Sequence, residues 1–167
     1  YITAHFNRAI LILGGIKETP EQFCNADSVR ESEITILPFT LGADNDDWLV
    51  SSIRFKAEGS GDEEAISEVK LYWEEDEEVD SGFYFSDNGT IVMNVVKTVP
   101  MDAIRHLYLA YVFSSDEVNI TGGFDVKVTV DSIQATPVSD FYRPGIKLGE
   151  EVTGRIIIGS VANMDTG

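Results

Sequence analysis

Hydrophobic residues in this chain recur at every second position far more often than at helical spacing. Phe124, Val126, Val128 and Val130 alternate with Asp125, Lys127, Thr129 and Asp131, as in a strand with one face in a core and one in water. Leu107, Leu109, Tyr111 and Phe113 share one face of a second strand, and Tyr108, Ala110 and Val112 make its other face apolar too. Both of its sides are therefore expected to be covered. Val69, Leu71 and Trp73 mark a third strand, Ile91, Met93 and Val95 a fourth, and Ile53, Phe55 and Ala57 a fifth. Ile34 and Ile36 open a sixth, but Phe39 and Leu41 continue it in the opposite phase. The slip is placed at Leu37-Pro38, because a proline inside a strand implies an edge or a bulge.

Turn-forming residues separate these runs at 42–47, 58–64, 86–89, 114–117 and 121–123. Only 20–25 and 101–105 have the character of a single helical turn. The pattern predicts an all-β fold: an antiparallel β-sandwich, jelly-roll or immunoglobulin-like, with about eight to ten strands.

The two ends differ from the middle. Residues 7–15 read NRAILILGG and residues 154–159 read GRIIIG. Each is a compact apolar strand beside glycines. The expected organisation is an N-terminal arm over 1–22, a sandwich body over 23–136, and a linker with a C-terminal strand over 137–167. Both terminal runs suit ordinary sandwich strands. Either also suits a strand donated to a neighbouring subunit, where it would satisfy an open sheet edge. Ile10, Leu11, Ile12 and Leu13 are the favoured donor, and replacing Ile10 and Ile12 with Asp is expected to abolish polymers while leaving the body folded. Ile156, Ile157 and Ile158 are the alternative donor, or part of the acceptor groove.

Charge narrows the partners. Twelve Lys+Arg face 29 Asp+Glu, a formal net charge of −17. Such a surface repels phosphate backbones and anionic lipid, which argues against nucleic acid and membrane insertion. It favours divalent cations and basic partners. The single thiol, Cys24, allows no intrachain disulfide. It is a buried small hydrophobe, an intermolecular bridge or a free thiol. The first residue is Tyr1 rather than Met, and Asn88-Gly89-Thr90 and Asn119-Ile120-Thr121 are sequons among turn residues. Together these point to an extracellular or cell-surface chain freed of a signal peptide, with Asn88 and Asn119 as candidate glycan acceptors.

Calcium is the ligand the acidic runs suggest, since it takes several oxygens on a flexible turn. Asp76, Glu78 and Asp80 stand at alternate positions, although Gly82 and Asp87 do not fit an EF-hand. Asp44, Asp46 and Asp47 form a second candidate set, with Asn45 among them, and Asp62, Glu63 and Glu64 a third. A solvated acidic loop is the competing reading for each. His5 and His106 are the only histidines, so no zinc spacing exists. No G-x-S-x-G elbow, P-loop or dinucleotide fingerprint is present. The expectation is a protein without enzymatic activity.

The stretch from about 28 to 136 resembles β-sandwich modules of bacterial and archaeal surface proteins. Its most specific piece runs from Val69 to Gly82, a V-x-L-Y strand followed by an acidic turn ending in glycine. By architecture, apolar end strands on an acidic sandwich also resemble subunits of archaeal extracellular filaments and tubes, the cannula proteins and bundling pili. That resemblance implies copies of the chain polymerising by strand donation, with calcium taking part. The alternative is a carbohydrate-binding or adhesive module, using Trp48 or Phe83-Tyr84-Phe85 as an exposed platform for polysaccharide.

Overall fold

The computed structural model describes residues 8–15, 21–23, 33–59, 66–84, 88–113, 124–139, 143–148 and 152–158. Every regular element among them is a strand: β1 (Arg8–Gly15), β2 (Glu21–Phe23), β3 (Glu33–Asp44), β4 (Trp48–Glu58), β5 (Ile66–Trp73), β6 (Glu77–Gly82), β7 (Thr90–Val99), β8 (Ile104–Phe113), β9 (Phe124–Pro137), β10 (Arg143–Leu148) and β11 (Thr153–Ile158). The alternating runs become these strands because period-two patterning leaves only one face to be covered. The helical turns expected at 20–25 and 101–105 are absent from the described residues. Glu21–Phe23 is a strand, and Met101 and Asp102 form a tight turn into β8.

The first sheet runs in the order β10-β1-β3-β8-β5-β6, and the second in the order β2-β11-β9-β4-β7. The two pack into the expected β-sandwich, their inward faces forming one core cluster. Phe39 of the first sheet meets Phe55 of the second edge to face, with ring centroids 6.0 Å apart. The ladders are antiparallel except at one margin of each sheet, where β1 runs parallel to β10 and β11 parallel to β2. Alternation is the same in both directions, so the sequence carried no sign of this.

The phase slip in β3 is real and lies slightly earlier than the proline. The register with β8 shifts between Thr35 and Leu37, making Ile36 the extra residue. Ile36 and Leu37 are both buried, as a bulge allows in a strand whose other residues alternate in and out. The bulge brings the two sheets together. A Cβ built on Gly154 of β11 would stand 1.9 Å from the carbonyl oxygen of Ile36. Only glycine lets the two backbones approach this closely.

The opposite margin is closed by side chains. Asp80 of β6 accepts the backbone N–H of Asn94 in β7 at 2.7 Å, and Lys97 Nζ meets Glu77 Oε2 at 2.6 Å. An open edge donor is thereby occupied by a carboxylate.

Candidate functional site

The N-terminal strand does not hang free of the body. It lies inside the first sheet, paired antiparallel with β3 (Leu13 opposite Leu41) and parallel with β10 (Ile12 opposite Lys147). Ala9 and Leu11 are 0% exposed and Leu13 is 2% exposed. Ile12, in contrast, is 39% exposed on the outer face. The inward-facing anchors of this strand are therefore Ala9, Leu11 and Leu13, whereas Ile12 faces outward. The run of four apolar residues hid the phase, which the register against β3 settles.

Residues Ile156, Ile157 and Ile158 pair with Val126, Asp125 and Phe124 of β9 and with the three residues of β2. The start of this strand is the keyed part. Val152 and Thr153 are buried, and Thr153 Oγ1 lies 3.3 Å from Thr129 Oγ1.

The acidic residues are distributed as structural clasps. Asp46 accepts the N–H groups of Asp47 and Ser139, each at 2.8 Å, and Asp47 accepts that of Met101 at 2.7 Å. Asn45, held at a φ of 70°, donates to the carbonyl of Arg8 at 2.6 Å. This one loop thus ties β1, the entry to β8 and the exit of β9. Glu75 and Asp76 have φ values of 51° and 64°, and Glu77 N–H returns to Glu74 O at 3.2 Å. Positive φ at both central positions is the mark of a type I′ hairpin turn. Asp76 then accepts the Tyr108 hydroxyl at 2.6 Å, Glu78 lies 3.6 Å from Lys70, and Asp80 holds the edge of β7. Among the described residues no three of His, Cys, Asp and Glu gather into a metal-binding group. Neither Asp76, Glu78 and Asp80 nor Asp44, Asp46 and Asp47 are brought together as a calcium site.

The aromatic platforms are also relocated. Trp48 is 0% exposed, and its indole N–H has no acceptor among the described residues. Tyr84 is buried against Tyr111, their hydroxyls 2.5 Å apart. Phe83 alone of the three described candidates is open to solvent, at 53% exposure. Burial follows from alternation: Trp48 shares the inward face of β4 with Val50. Asn88 is exposed in a turn at a φ of 54°. Asn119, Cys24, His5, Phe85, Asp62, Glu63 and Glu64 lie outside the described residues.

A constellation the sequence did not disclose occupies the outer face of the first sheet. Tyr72 and Tyr108, paired across β5 and β8, stack with centroids 4.6 Å apart at 17°. The Tyr72 hydroxyl donates to both oxygens of Glu33, at 2.9 and 3.0 Å. Lys70 Nζ is within 3.4, 3.9 and 3.6 Å of Glu33, Glu68 and Glu78. Burial, then the bond to Glu33 and the surrounding carboxylates, push the Tyr72 phenol upward from its ordinary value. Burial, then the bond to Asp76, do the same for Tyr108. The bond to Glu33, opposed by burial, raises the Lys70 ammonium. These residues lie 39 and 32 positions apart in pairs, so only strand register assembles them.

No family model and no curated protein matches this chain. Solved structures match over most of its length at low identity. The chain of a study in which AvmM catalyses macrocyclization in alchivemycin A biosynthesis is 11% identical, with 92% of this chain and 90% of that one covered, at a TM-score of 0.42. A chain from a type I cohesin–dockerin complex of Clostridium thermocellum is 10% identical, with 92% and 94% covered, at 0.35. A family 123 glycoside hydrolase from Clostridium perfringens is 8% identical, with 91% of this chain and 27% of that one covered, at 0.41. None of the three is described as a filament or tube subunit, and likeness at this level carries no function from one chain to another.

Proposed function

We propose that this chain is a non-catalytic β-sandwich module of a cell surface, and that it assembles with copies of itself by exchanging β1. The observation that supports this most is the manner in which β1 is held. It contributes Ala9, Leu11 and Leu13 to the core through side-chain burial and strand pairing, with one further bond from Asn45 to the Arg8 carbonyl. A second copy's β1 offers the groove between β3 and β10 the same contacts. Burying Leu11 and Leu13 contributes about 1.5–3 kcal/mol each, and the flanking ladders add backbone hydrogen bonds. Because own and foreign strands are chemically identical, the balance between closed monomer and polymer is set by connection geometry and effective concentration. When the exchange is not reciprocal, each donated strand makes a head-to-tail contact that propagates, whereas reciprocal exchange closes into a dimer.

A net charge of −17 opposes such packing. Salt and divalent cations, calcium included, enter this reading as screening ions. An extracellular location and glycans on Asn88 and Asn119 belong to the same proposal. The test is negative-stain electron microscopy of the wild type and of Leu11→Asp, with and without calcium. Fibres or tubes from the wild type and none from the variant support it. Adding a synthetic peptide of residues 8–15 to the variant separates misfolding from lost exchange, since the peptide should restore a cooperative thermal transition. A wild type that remains dispersed in every condition moves the reading to a monomeric adhesive module.

A further inference from the structure

The outer face of the first sheet is not flat. Two adjoining cavities, of about 340 and about 260 Å³, lie over β3 and share Thr40. The first is bordered by Thr35, Pro38, His106 and Tyr108. The second is bordered by Ile12, Gly14, Gly42, Asp102 and Ile104, with Asp44 at its end. They form one trough, because short residues on β3 and β1 lie beside tall ones on β8. Gly42 sits opposite both Ile12 and Ile104 in register, so the floor is lowest between two exposed isoleucines.

The trough's chemistry is one-sided. Its lining carries Asp44 and Asp102 and neither Lys nor Arg. Tyr108 forms an aromatic wall with a fixed ring, since its hydroxyl is bound to Asp76 and Tyr72 covers one face. The other face is the one that borders the cavity. An open aromatic ring face attracts a cation, guanidinium groups stacking on it most readily, and Asp44 and Asp102 add negative charge in the second cavity. From Phe39 to Gly42 β3 is paired on both sides, by β1 and by β8, so its backbone is engaged there and recognition runs through side chains.

We propose that this trough docks an extended basic segment of a partner protein, with an Arg or Lys side chain over the open face of Tyr108 and aliphatic side chains against Ile12 and Ile104. A second copy of this chain is the poorer occupant, because it brings the same charge of −17. An exchanged β1 would line the trough with the same Ile12 and Gly14, so this docking stands whether β1 comes from the chain itself or from a copy.

The experiment is a calorimetric and NMR titration of the full chain with an extended Arg-Thr repeat peptide, alongside the Glu-Thr repeat and an uncharged oligosaccharide. The Arg peptide is expected to bind, to shift β3 and β8 resonances, and to weaken with added salt. Tyr108→Ala should weaken it by about two- to fivefold, the range of an exposed cation–ring contact, while Tyr108→Phe retains most of the binding. Thr35→Arg, at an exposed position, keeps the fold and should abolish binding by filling the trough with the chain's own cation. Binding that is indifferent to both Tyr108→Ala and Thr35→Arg is diffuse attraction to an acidic surface and overturns the proposal. So does equal binding of the Glu peptide, or binding of the oligosaccharide alone.

Discussion

The two terminal strands look alike in sequence and are held in different ways. β11 is keyed: at Gly154 its backbone lies on the bulge of β3, where no side chain fits. β1 has no such key. A Cβ on Gly14 or Gly15 would meet only side-chain atoms, Thr40 Oγ1 at 2.8 Å and Val152 at 3.0 Å. The burial of Leu11 and Leu13 is a generic apolar contact that any identical strand can make. A backbone-on-backbone fit specifies one partner, whereas a row of leucines in a groove specifies only a sequence. This difference is the reason to assign exchange to β1 and anchorage to β11.

Each strand is expected to fail most when its own hold is removed. Leu11→Asp places an unpaired charge in the core and should cost on the order of 4 kcal/mol in thermal or denaturant unfolding. Gly154→Ala should cost about 3 kcal/mol, because a methyl group must displace backbone rather than a side chain. A cost near zero for Gly154→Ala would show that the β11 key is not real. Ile12→Asp, on the outer face of the same strand as Leu11, should change stability by less than about 0.5 kcal/mol. If Ile12→Asp and Leu11→Asp destabilise equally, β1 does not sit in this register.

A smaller effect concerns the margin away from both termini. Val96 in β7 is exposed and has a φ of 50°, a conformation unfavourable for a β-branched residue. It sits where the register between β4 and β7 shifts. Val96→Gly should stabilise the fold by about 1 kcal/mol, since glycine adopts this bulge without strain.

The smallest effect is in pH dependence. The Tyr72 and Tyr108 phenols are raised from an ordinary value of 10.0. Between that value and their folded one, the unfolded chain releases protons that the folded chain retains. Their contribution is thus complete below pH 10 and declines as pH rises beyond it. Tyr72→Phe combined with Tyr108→Phe should flatten the fall in stability measured upward from pH 10.

The fold was largely legible in the sequence, because alternation in runs such as 124–131 and 69–73 reports a buried face directly. The bulge in β3 was signalled by Pro38 and by the changed phase of Phe39, although Ile36 proved to be the extra residue. What alternation cannot report is direction and register. The parallel pairing of β1 with β10 was invisible, and so was the meeting of Glu33, Tyr72, Tyr108 and Asp76, which depends on three ladders aligning. An uninterrupted apolar run has no phase of its own, so residues 10–13 do not show which of them face inward; the register with β3 turns Leu11 and Leu13 in and Ile12 out. The partners of the acidic runs were hidden for a related reason. Spacing along the chain suggested shared ligation, whereas the strands send Asp76, Glu78 and Asp80 to separate partners.

Exchange of β1 is tested most directly by a pair of cysteines at Ile12 and Lys147, which face one another across β1 and β10, in a Cys24→Ser background. Oxidation after incubation at high concentration, followed by non-reducing gel electrophoresis, reads whose β1 fills each groove. Exchange predicts a ladder of covalent multimers that collapses to monomer on reduction. A single fast-running, internally bridged monomer, under conditions where assemblies are visible by microscopy, would contradict it.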